Sequence, residues 1–261
     1  MKVFLLLLAA AGACAAQTDS FDVMIEGAVD FEIQPLLTAL ANKSEVRIGA
    51  WTYWTGMIGK RHVVVARTEM GPANASASTA LGISRFHPRA VINQGTAGAH
   101  IPGLRVFDIV IGEKTIDYGA VRSDHVAAGG GIHVNQWTSM STELRLNGSS
   151  LTQFPYFAGD EKLAAAAMNT PYEHGKLVKG TIGSAYQFNR ELDYIHWVHE
   201  TFHTDSEDME SAFAAAVAKG LDVPFLAVRV ISDSEFNHPA LEKAAGAYCA
   251  EFVVRMVREW R

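Results

Sequence analysis

The sequence predicts a three-layer α/β/α fold with a mixed, partly closed central sheet. Apolar runs of strand length alternate along the chain with segments of helical periodicity, and this alternation is typical of an α/β protein. Residues 225–231 form a nearly continuous apolar run, as expected for a strand buried on both faces of a parallel sheet. The chain has 261 residues, of which 49% are hydrophobic, so it can bury one large core in a single domain.

The charge pattern argues against a nucleic-acid partner. The formal net charge is -6, and Lys and Arg form no block along the sequence. A protein that binds nucleic acid usually carries a basic face, so we expect no such partner. His125 and His133 lack the carboxylate or cysteine spacing of a metal site, and we expect neither a metal nor an organic cofactor.

The N-terminus has the pattern of a secretory signal peptide. In residues 1–16 a lysine precedes an apolar run that ends in small residues, and cleavage after Ala15 or Ala16 would fit. The run is too short for a membrane span, which needs about 20 apolar residues. We therefore expect residues 17–261 to form the mature domain, without a stable membrane span and exported to the periplasm or secreted. Lipid anchoring at Cys14 is the less favoured alternative, because the usual Leu three positions earlier is missing.

The first strand–helix unit places a carboxylate near an edge of the sheet. Residues 21–25 predict a strand that ends at Gly27 and Ala28, and residues 29–40 have the apolar spacing of a helix. Glu32 lies in the first turn of this helix, beside the carboxyl edge of the predicted sheet. Taken alone, such a residue is most simply explained as a solvated carboxylate at a helix start.

The middle of the chain continues the alternation. We predict a two-stranded hairpin, a polar turn, a helix, a strand that ends in the glycine turn containing Thr96, a second strand, a long polar segment, a helix and a further strand. In chain order these are residues 46–67, 68–75, 75–86, 90–98, 107–112, 113–158, 160–169 and 176–182. Tyr186 and Phe188 follow the last of these strands, where an aromatic ring often fills the core.

A further helix is predicted after residue 203. Thr204 or Ser206 can cap it, its acidic first turn includes Glu210, and Gly220 ends it. Acidic residues in a first turn are favoured by the partial positive charge of the helix N-terminus. Glu210 alone therefore has an ordinary structural explanation.

The strand at residues 225–231 ends in two polar residues, Ser232 and Asp233. Ligands of open α/β sheets bind at the carboxyl ends of the strands, so this pair is a candidate for a site. Residues 239–261 predict a closing amphipathic helix, in which Cys249 is expected to be a buried structural thiol rather than a nucleophile.

The order Asp208-Met209-Glu210 followed by Ser232-Asp233 resembles the nucleoside phosphorylase/nucleosidase superfamily, and most closely the 5'-methylthioadenosine/S-adenosylhomocysteine nucleosidases. The Gly27-Ala28 turn with Glu32 and the glycine turn with Thr96 also match, in the same order. The resemblance implies a nucleoside phosphorylase-like fold, a homodimer, and hydrolysis of the N-glycosidic bond of a small purine nucleoside to free base and ribose sugar. It implies no cofactor.

The resemblance also implies catalytic roles. Glu32 would orient and deprotonate the attacking water. Asp233 would protonate or hydrogen-bond N7 of the purine, with Ser232 and Arg229 holding it in place.

Further residues would bind the substrate. Glu210 would bind the ribose hydroxyls, and Met209 would pack against the sugar. Thr96 takes the hydroxyl position of the glycine turn. Tyr186 would stack on the purine, with Phe188 as the alternative.

Departures from related patterns bear on the reaction. Phosphorylases carry an Arg at the position of Asn93 and another where this chain has residues 29–31, and a guanidinium binds phosphate bidentately. Neither Arg is present, so water is favoured as the attacking group. Glu69 replaces the first glycine of a turn, which leaves the shape of that turn open. A phosphate-dependent purine nucleoside phosphorylase and a non-catalytic exported storage or nucleoside-binding protein of the same fold stay as alternatives.

Overall fold

Apolar, β-branched runs build the central strands of the protein. The computed structural model describes residues 20–260. Every residue of the strands Val23–Gly27 and Phe225–Asp233 is buried, which confirms that these strands are covered on both faces. The predicted signal peptide, residues 1–16, lies outside the described residues.

The described chain contains fourteen strands and six α-helices. The strands are β1 (Val23–Gly27), β2 (Ala41–Ile48), β3 (Trp51–Ile58), β4 (Arg61–Arg67), β5 (Val91–Ala99), β6 (Ile109–Asp117), β7 (Val121–Arg122), β8 (Thr138–Ser139), β9 (Thr142–Leu144), β10 (Thr152–Phe154), β11 (Phe157–Ala158), β12 (Leu177–Ser184), β13 (Ser206–Asp208) and β14 (Phe225–Asp233). The helices are α1 (Asp30–Ala39), α2 (Pro72–Phe86), α3 (Glu161–Met168), α4 (Leu192–Phe202), α5 (Ser211–Gly220) and α6 (Ala244–Glu259). None of these helices is long and apolar enough to cross a membrane.

Ten strands form one mixed sheet that closes partly into a barrel. The strand β14 runs parallel to β5 and antiparallel to β6. On the other side, β6 pairs with β12, β12 with β13, and β13 with β5, so these five strands form a closed ring. Beyond β5 the sheet continues open through β1, β4, β3 and β2. The predicted mixed, partly closed sheet is confirmed.

Helices cover both faces of the sheet. On one face, Ile33 and Leu36 of α1 and Phe252 of α6 belong to a single buried apolar cluster with strand residues. On the other face, Ile83 of α2 and Ala214 of α5 pack into a second cluster. Cys249 of α6 is buried in the first cluster.

The predicted helix after residue 203 begins later than expected. Ser206 lies in β13, whose backbone pairs with β5 and β12, and this pairing replaces a helical first turn. Helix α5 starts only at Ser211, where the carboxylate of Asp208 accepts hydrogen bonds from the backbone N–H groups of Glu210 and Ser211. The capping role predicted for Thr204 or Ser206 is therefore wrong, because sheet pairing outweighs the local helix signal.

Two other boundaries differ from the sequence prediction. The hairpin predicted at residues 46–67 is a meander of three antiparallel strands, β2 to β4. The closing helix begins at Ala244 rather than at residue 239. The polar segment 113–158 contains the end of β6, two small hairpin-like strand pairs and β11, at the edge of the main sheet.

Candidate active site

A cavity of about 220 Å³ opens where several strands and helices end. It is lined by six of the residues predicted from the sequence: Glu32, Thr96, Met209, Glu210, Ser232 and Asp233. These residues come from α1, β5, the β13–α5 junction and β14, so the fold brings together positions up to about 200 residues apart. A larger cavity of about 540 Å³ lies beside β10 and β11, and none of the predicted site residues lines it.

The carboxylate of Glu32 is held on both oxygens. Oε2 accepts from the backbone N–H groups of Ala28 at 2.9 Å and Val29 at 3.3 Å. Oε1 accepts from the backbone N–H and the hydroxyl of Thr96, at 2.8 and 2.9 Å. This position of the Glu32 carboxylate requires glycine at residue 95, because a Cβ on Gly95 would stand 2.7 Å from Oε1 of Glu32. Glu32 is 3% exposed and faces the cavity with an acceptor-only group.

Glu210 stands at the N-terminus of α5, beside a buried arginine. Its Oε1 accepts from the backbone N–H of Gly71 at 2.8 Å, and its Oε2 lies 3.6 Å from Nη2 of Arg229. Burial raises the pKa of Glu210 to about 7, against the opposing charge of Arg229 and with the help of the nearby Asp208 carboxylate. Arg229 shares its charge between two carboxylates, since its Nε is 2.6 Å from Asp208.

Arg229 does not hold Asp233, and that predicted role is wrong. The guanidinium donates to Ser211 and Asn93 and pairs with Asp208 and Glu210, behind the cavity wall. The pairing of β14 with β5 shifts register between Ile231 and Asp233, which changes the alternation of side chains along the strand. Arg229 therefore supports the ribose-side carboxylate predicted at Glu210.

Asp233 is the last residue of β14 and also lines the cavity. Its Oδ1 accepts from the hydroxyl of Ser232 at 2.7 Å, which matches the predicted positioning role of Ser232. Burial raises the pKa of Asp233, the Ser232 hydrogen bond opposes this, and the negative charges of Glu207 and Glu235 add to the increase. A carboxyl group that retains its proton at higher pH is suited to protonate a leaving group.

The sequence of the chain matches one known protein superfamily over most of its length. The model of the phosphorylase superfamily matches residues 22–258, nearly the whole chain. The chain belongs to this superfamily.

The chain is similar to nucleosidases of this superfamily over almost their full length. The 5'-methylthioadenosine/S-adenosylhomocysteine nucleosidase of Bacillus pumilus is 27% identical over 256 residues, covering 91% of this chain and 98% of the relative. The crystal structure of the corresponding Neisseria meningitidis enzyme, in complex with methylthio-immucillin-A, has a TM-score of 0.74 at 27% identity and covers 90% of this chain and 98% of that chain. The futalosine hydrolase of Helicobacter pylori shares the fold, with a TM-score of 0.74 at 23% identity, 91% coverage of this chain and 97% of that chain.

Of the two aromatic residues predicted as candidates for stacking on the base, Phe188 lines the cavity and Tyr186 does not. Phe188 and Gln187 line the cavity. Tyr186 is 75% exposed, and its ring lies against Gly71, where an added Cβ would stand 2.7 Å from it. The loop after β12 has no regular periodicity, so the direction of each side chain could not be derived from the strand pattern. The structure thus places the predicted alternative, Phe188, at the cavity, although Phe188 is itself 57% exposed, and the stacking role stays a prediction.

Two buried acidic residues near the cavity, Glu207 and Glu26, were missed by the sequence analysis. Glu207 lines the cavity beside Asp233. Glu26 lies fully buried in β1 and is bonded to Asn93, which in turn accepts from Arg229. A carboxylate inside an otherwise apolar strand was the available signal for Glu26. Among residues 20–260, no three His, Cys, Asp or Glu side chains are grouped so that they could hold a metal ion.

Proposed function

We propose that the chain hydrolyses the N-glycosidic bond of a purine nucleoside, with 5'-methylthioadenosine/S-adenosylhomocysteine-like nucleosides as the best-supported class. That the chain is a nucleoside N-glycosidase follows from its superfamily and its nucleosidase relatives. The observation that carries the reaction is the placement of Glu32, Glu210 and Asp233 around one cavity, each held by different partners. Glycoside cleavage needs an acid for the leaving group and a base for the water, and this arrangement supplies both.

Asp233 acts on the leaving base. Breaking the glycosidic bond moves electrons onto the purine, and a proton or a strong hydrogen bond at N7 stabilises them. The raised pKa of Asp233 keeps the proton available, and the Ser232 hydroxyl fixes the carboxyl group through Oδ1. The other carboxyl oxygen of Asp233, Oδ2, can then contact N7 of the purine.

Glu32 acts on the attacking water. Its four hydrogen bonds fill the acceptor sites of the carboxylate. The weakest, from Val29 at 3.3 Å, is the one that a water can replace. The water would then donate one proton to Glu32 and direct a lone pair at the sugar carbon.

Glu210 and Met209 bind the sugar between these two groups. Glu210 keeps one carboxylate oxygen for ribose hydroxyls, since Gly71 occupies the other. Met209 lines the cavity next to it and offers an apolar surface for the ribose ring.

The lining of the cavity favours water over phosphate. No Lys or Arg of residues 20–260 lines it, whereas a phosphate site needs cationic or clustered N–H donors. The side chain of Asn93, at the position of a phosphorylase Arg, is occupied by Glu26 and Arg229. An anionic phosphate would therefore be repelled by the carboxylates that line the cavity, because no Lys or Arg of residues 20–260 lines it to compensate their charge.

The test is release of free base from methylthioadenosine, adenosine and inosine by the purified protein, with and without phosphate. We expect release without phosphate, with free ribose sugar as the second product. Glu32→Gln should lower kcat about 10²- to 10⁴-fold, the range for removal of a general base, while the exposed control Glu173→Gln keeps full activity. Release only with phosphate would establish a phosphorylase, and no release from any substrate would favour the storage or binding alternative.

Two features outside the cavity complete the proposal. We propose that residues 1–16 direct export to the periplasm or outside the cell, which the pattern of the N-terminus supports. A mature protein that begins with intact Lys2 would contradict export. We also propose a homodimer, supported by the resemblance of the chain to dimeric nucleosidases, and sedimentation analysis would detect a monomer if this is wrong.

A further inference from the structure

Glu207 is a second carboxylate at the Asp233 end of the cavity. In the sheet register, Glu207 of β13 lies opposite Gly98 of β5, and Asp233 of β14 lies opposite the same glycine on the other side. A Cβ on Gly98 would stand 3.4 Å from Oδ2 of Asp233 and 3.6 Å from Oε1 of Glu207. Both carboxyl groups therefore flank Gly98 and line the same part of the cavity.

The position of Glu207 is fixed by residues behind it. Its Oε2 accepts from the hydroxyl of Tyr118 at 2.7 Å and from the side-chain amide of Asn189. Nε2 of His100 lies 3.1 Å from the same oxygen, within ion-pair distance though outside hydrogen-bond geometry. Among residues 20–260, Oε1 accepts a hydrogen bond only from the backbone N–H of Asn189, at 3.0 Å. One acceptor site on Oε1 therefore remains, on the oxygen that lies near Asp233.

Glu207 is an ionised acceptor. Burial alone would raise its pKa, but contact with His100 and the hydrogen bonds from Tyr118 and Asn189 outweigh burial and lower it. A carboxylate in this state accepts hydrogen bonds and cannot donate one. Any ligand atom placed beside Oε1 must carry an N–H or O–H, since an acceptor there would be repelled.

We propose that Glu207 selects purines that present an N–H donor on the edge of the six-membered ring, either an amino group at C6 or a protonated N1. This inference rests on the proposed function, in which Asp233 contacts N7 and so brings that ring toward Glu207. Adenine offers the amino group and hypoxanthine offers N1–H. Purine riboside, which has neither, offers only ring nitrogen acceptors. Glu207 is thus a specificity-determining residue for the base.

The test compares kcat/KM of the purified enzyme for adenosine, inosine and purine riboside, in wild type and Glu207→Gln. The Tyr118 hydroxyl and the Asn189 side-chain amide donate to the Oε2 site, so the glutamine oxygen takes that site. Its NH₂ group then replaces Oε1 and loses the single hydrogen bond from the backbone N–H of Asn189. The variant therefore presents a donor where the wild type presents an acceptor. We expect the preference for the better of adenosine and inosine over purine riboside to fall about 10- to 100-fold, the value of one hydrogen bond to a charged group. Intrinsic differences in reactivity between the nucleosides cancel, because each is measured with both enzymes.

Glu207→Asp provides the second variant, since it keeps the charge near Asp233 and withdraws the carboxylate from the base. It should lose the same preference without a uniform loss of rate. An equal fall for all three nucleosides in both variants would mean that Glu207 acts only on structure or on Asp233, and unchanged preferences would also overturn the proposal. If wild type releases base from no nucleoside, the proposed function fails instead, so the two failures are distinguishable.

Discussion

The buried carboxyl group of Glu26 allows a quantitative test of the electrostatics behind the site. Its Oε2 lies 2.9 Å from the amide nitrogen of Asn93, and its Oε1 lies 2.8 Å from the hydroxyl of Thr79. The same hydroxyl lies 2.7 Å from the carbonyl oxygen of Ala75, and its single proton cannot serve both oxygens. A protonated Glu26 resolves this, since it donates to Thr79 while Thr79 donates to Ala75.

The pKa of Glu26 is consistent with this hydrogen-bond count. Burial raises it from 4.5 to about 7, against the hydrogen bond from Asn93 and the charge of Arg229. Between about pH 4.5 and pH 7 the folded chain therefore holds a proton that the unfolded chain has released. Stability falls as pH rises through this window, and the loss reaches on the order of 3 kcal/mol above pH 7, at about 1.4 kcal/mol for each pKa unit.

Glu26→Gln should remove this pH-dependent loss. The glutamine oxygen can accept from Asn93 and its NH₂ group can donate to Thr79, so both hydrogen bonds of the protonated acid are reproduced. We expect the variant and wild type to differ little in free energy of unfolding near pH 4.5, and the variant to be more stable by on the order of 3 kcal/mol at pH 8.

Urea unfolding of both proteins at several pH values measures this difference, and groups that titrate alike in both cancel. The exposed Glu173→Gln serves as the control and should show no such trend. A stability difference between Glu26→Gln and wild type that does not change with pH would refute the reasoning. So would a variant that is less stable than wild type at pH 8.

Two further predictions concern the cavity itself. In Gly95→Ala, the added Cβ would stand 2.5 Å from Nη1 of Arg229 and 2.7 Å from Oε1 of Glu32, so both side chains must move. We expect kcat/KM to fall about 100-fold as a result. Wild-type activity of this variant would show that the observed position of the Glu32 carboxylate is not needed. Phe188→Ala should raise KM for the nucleoside about 10-fold, whereas Tyr186→Ala should change it less than about threefold, because of these two residues Phe188 lines the cavity and Tyr186 does not. The opposite order would favour Tyr186 as the stacking residue.

Most of the residues that sequence analysis placed at the cavity share one property. Glu32, Glu210 and Asp233 each lie at or near the end of a regular element, whereas the turn predicted around Thr96 is wrong, because β5 continues through it to Ala99. Such boundaries are marked in sequence by glycine or by a change from apolar to polar residues, and their order along the chain could be matched to a known family. The fold then brings the ends together, as parallel strands require.

The errors arose where a long-range contact decided the local structure. Ser206 has the sequence of a helix cap, but pairing with β5 and β12 makes it part of a strand. Arg229 and Asp233 are four residues apart in one strand and should share a face, yet a register shift separates them. Neither the pairing nor the shift leaves a local signal. Glu207 was missed for the same reason, since its place beside Asp233 depends on how two distant strands flank Gly98.

The distribution of charge in the cavity explains how it can favour a transition state over a substrate. Five acidic residues line the cavity: Glu32, Glu207, Asp208, Glu210 and Asp233. Arg229 lies 3.6 Å from Glu210 but does not line the cavity itself. The raised pKa values of Glu210 and Asp233 reflect the cost of gathering these carboxyl groups in a buried space. A neutral nucleoside relieves little of that cost. In the proposed reaction, bond cleavage places positive charge on the sugar, and the carboxylates of Glu32 and Glu210 then stabilise that charge. Their stabilisation is therefore greater in the transition state than in the bound substrate. An anionic phosphate would raise the cost instead, which is the physical reason that this cavity is matched to water.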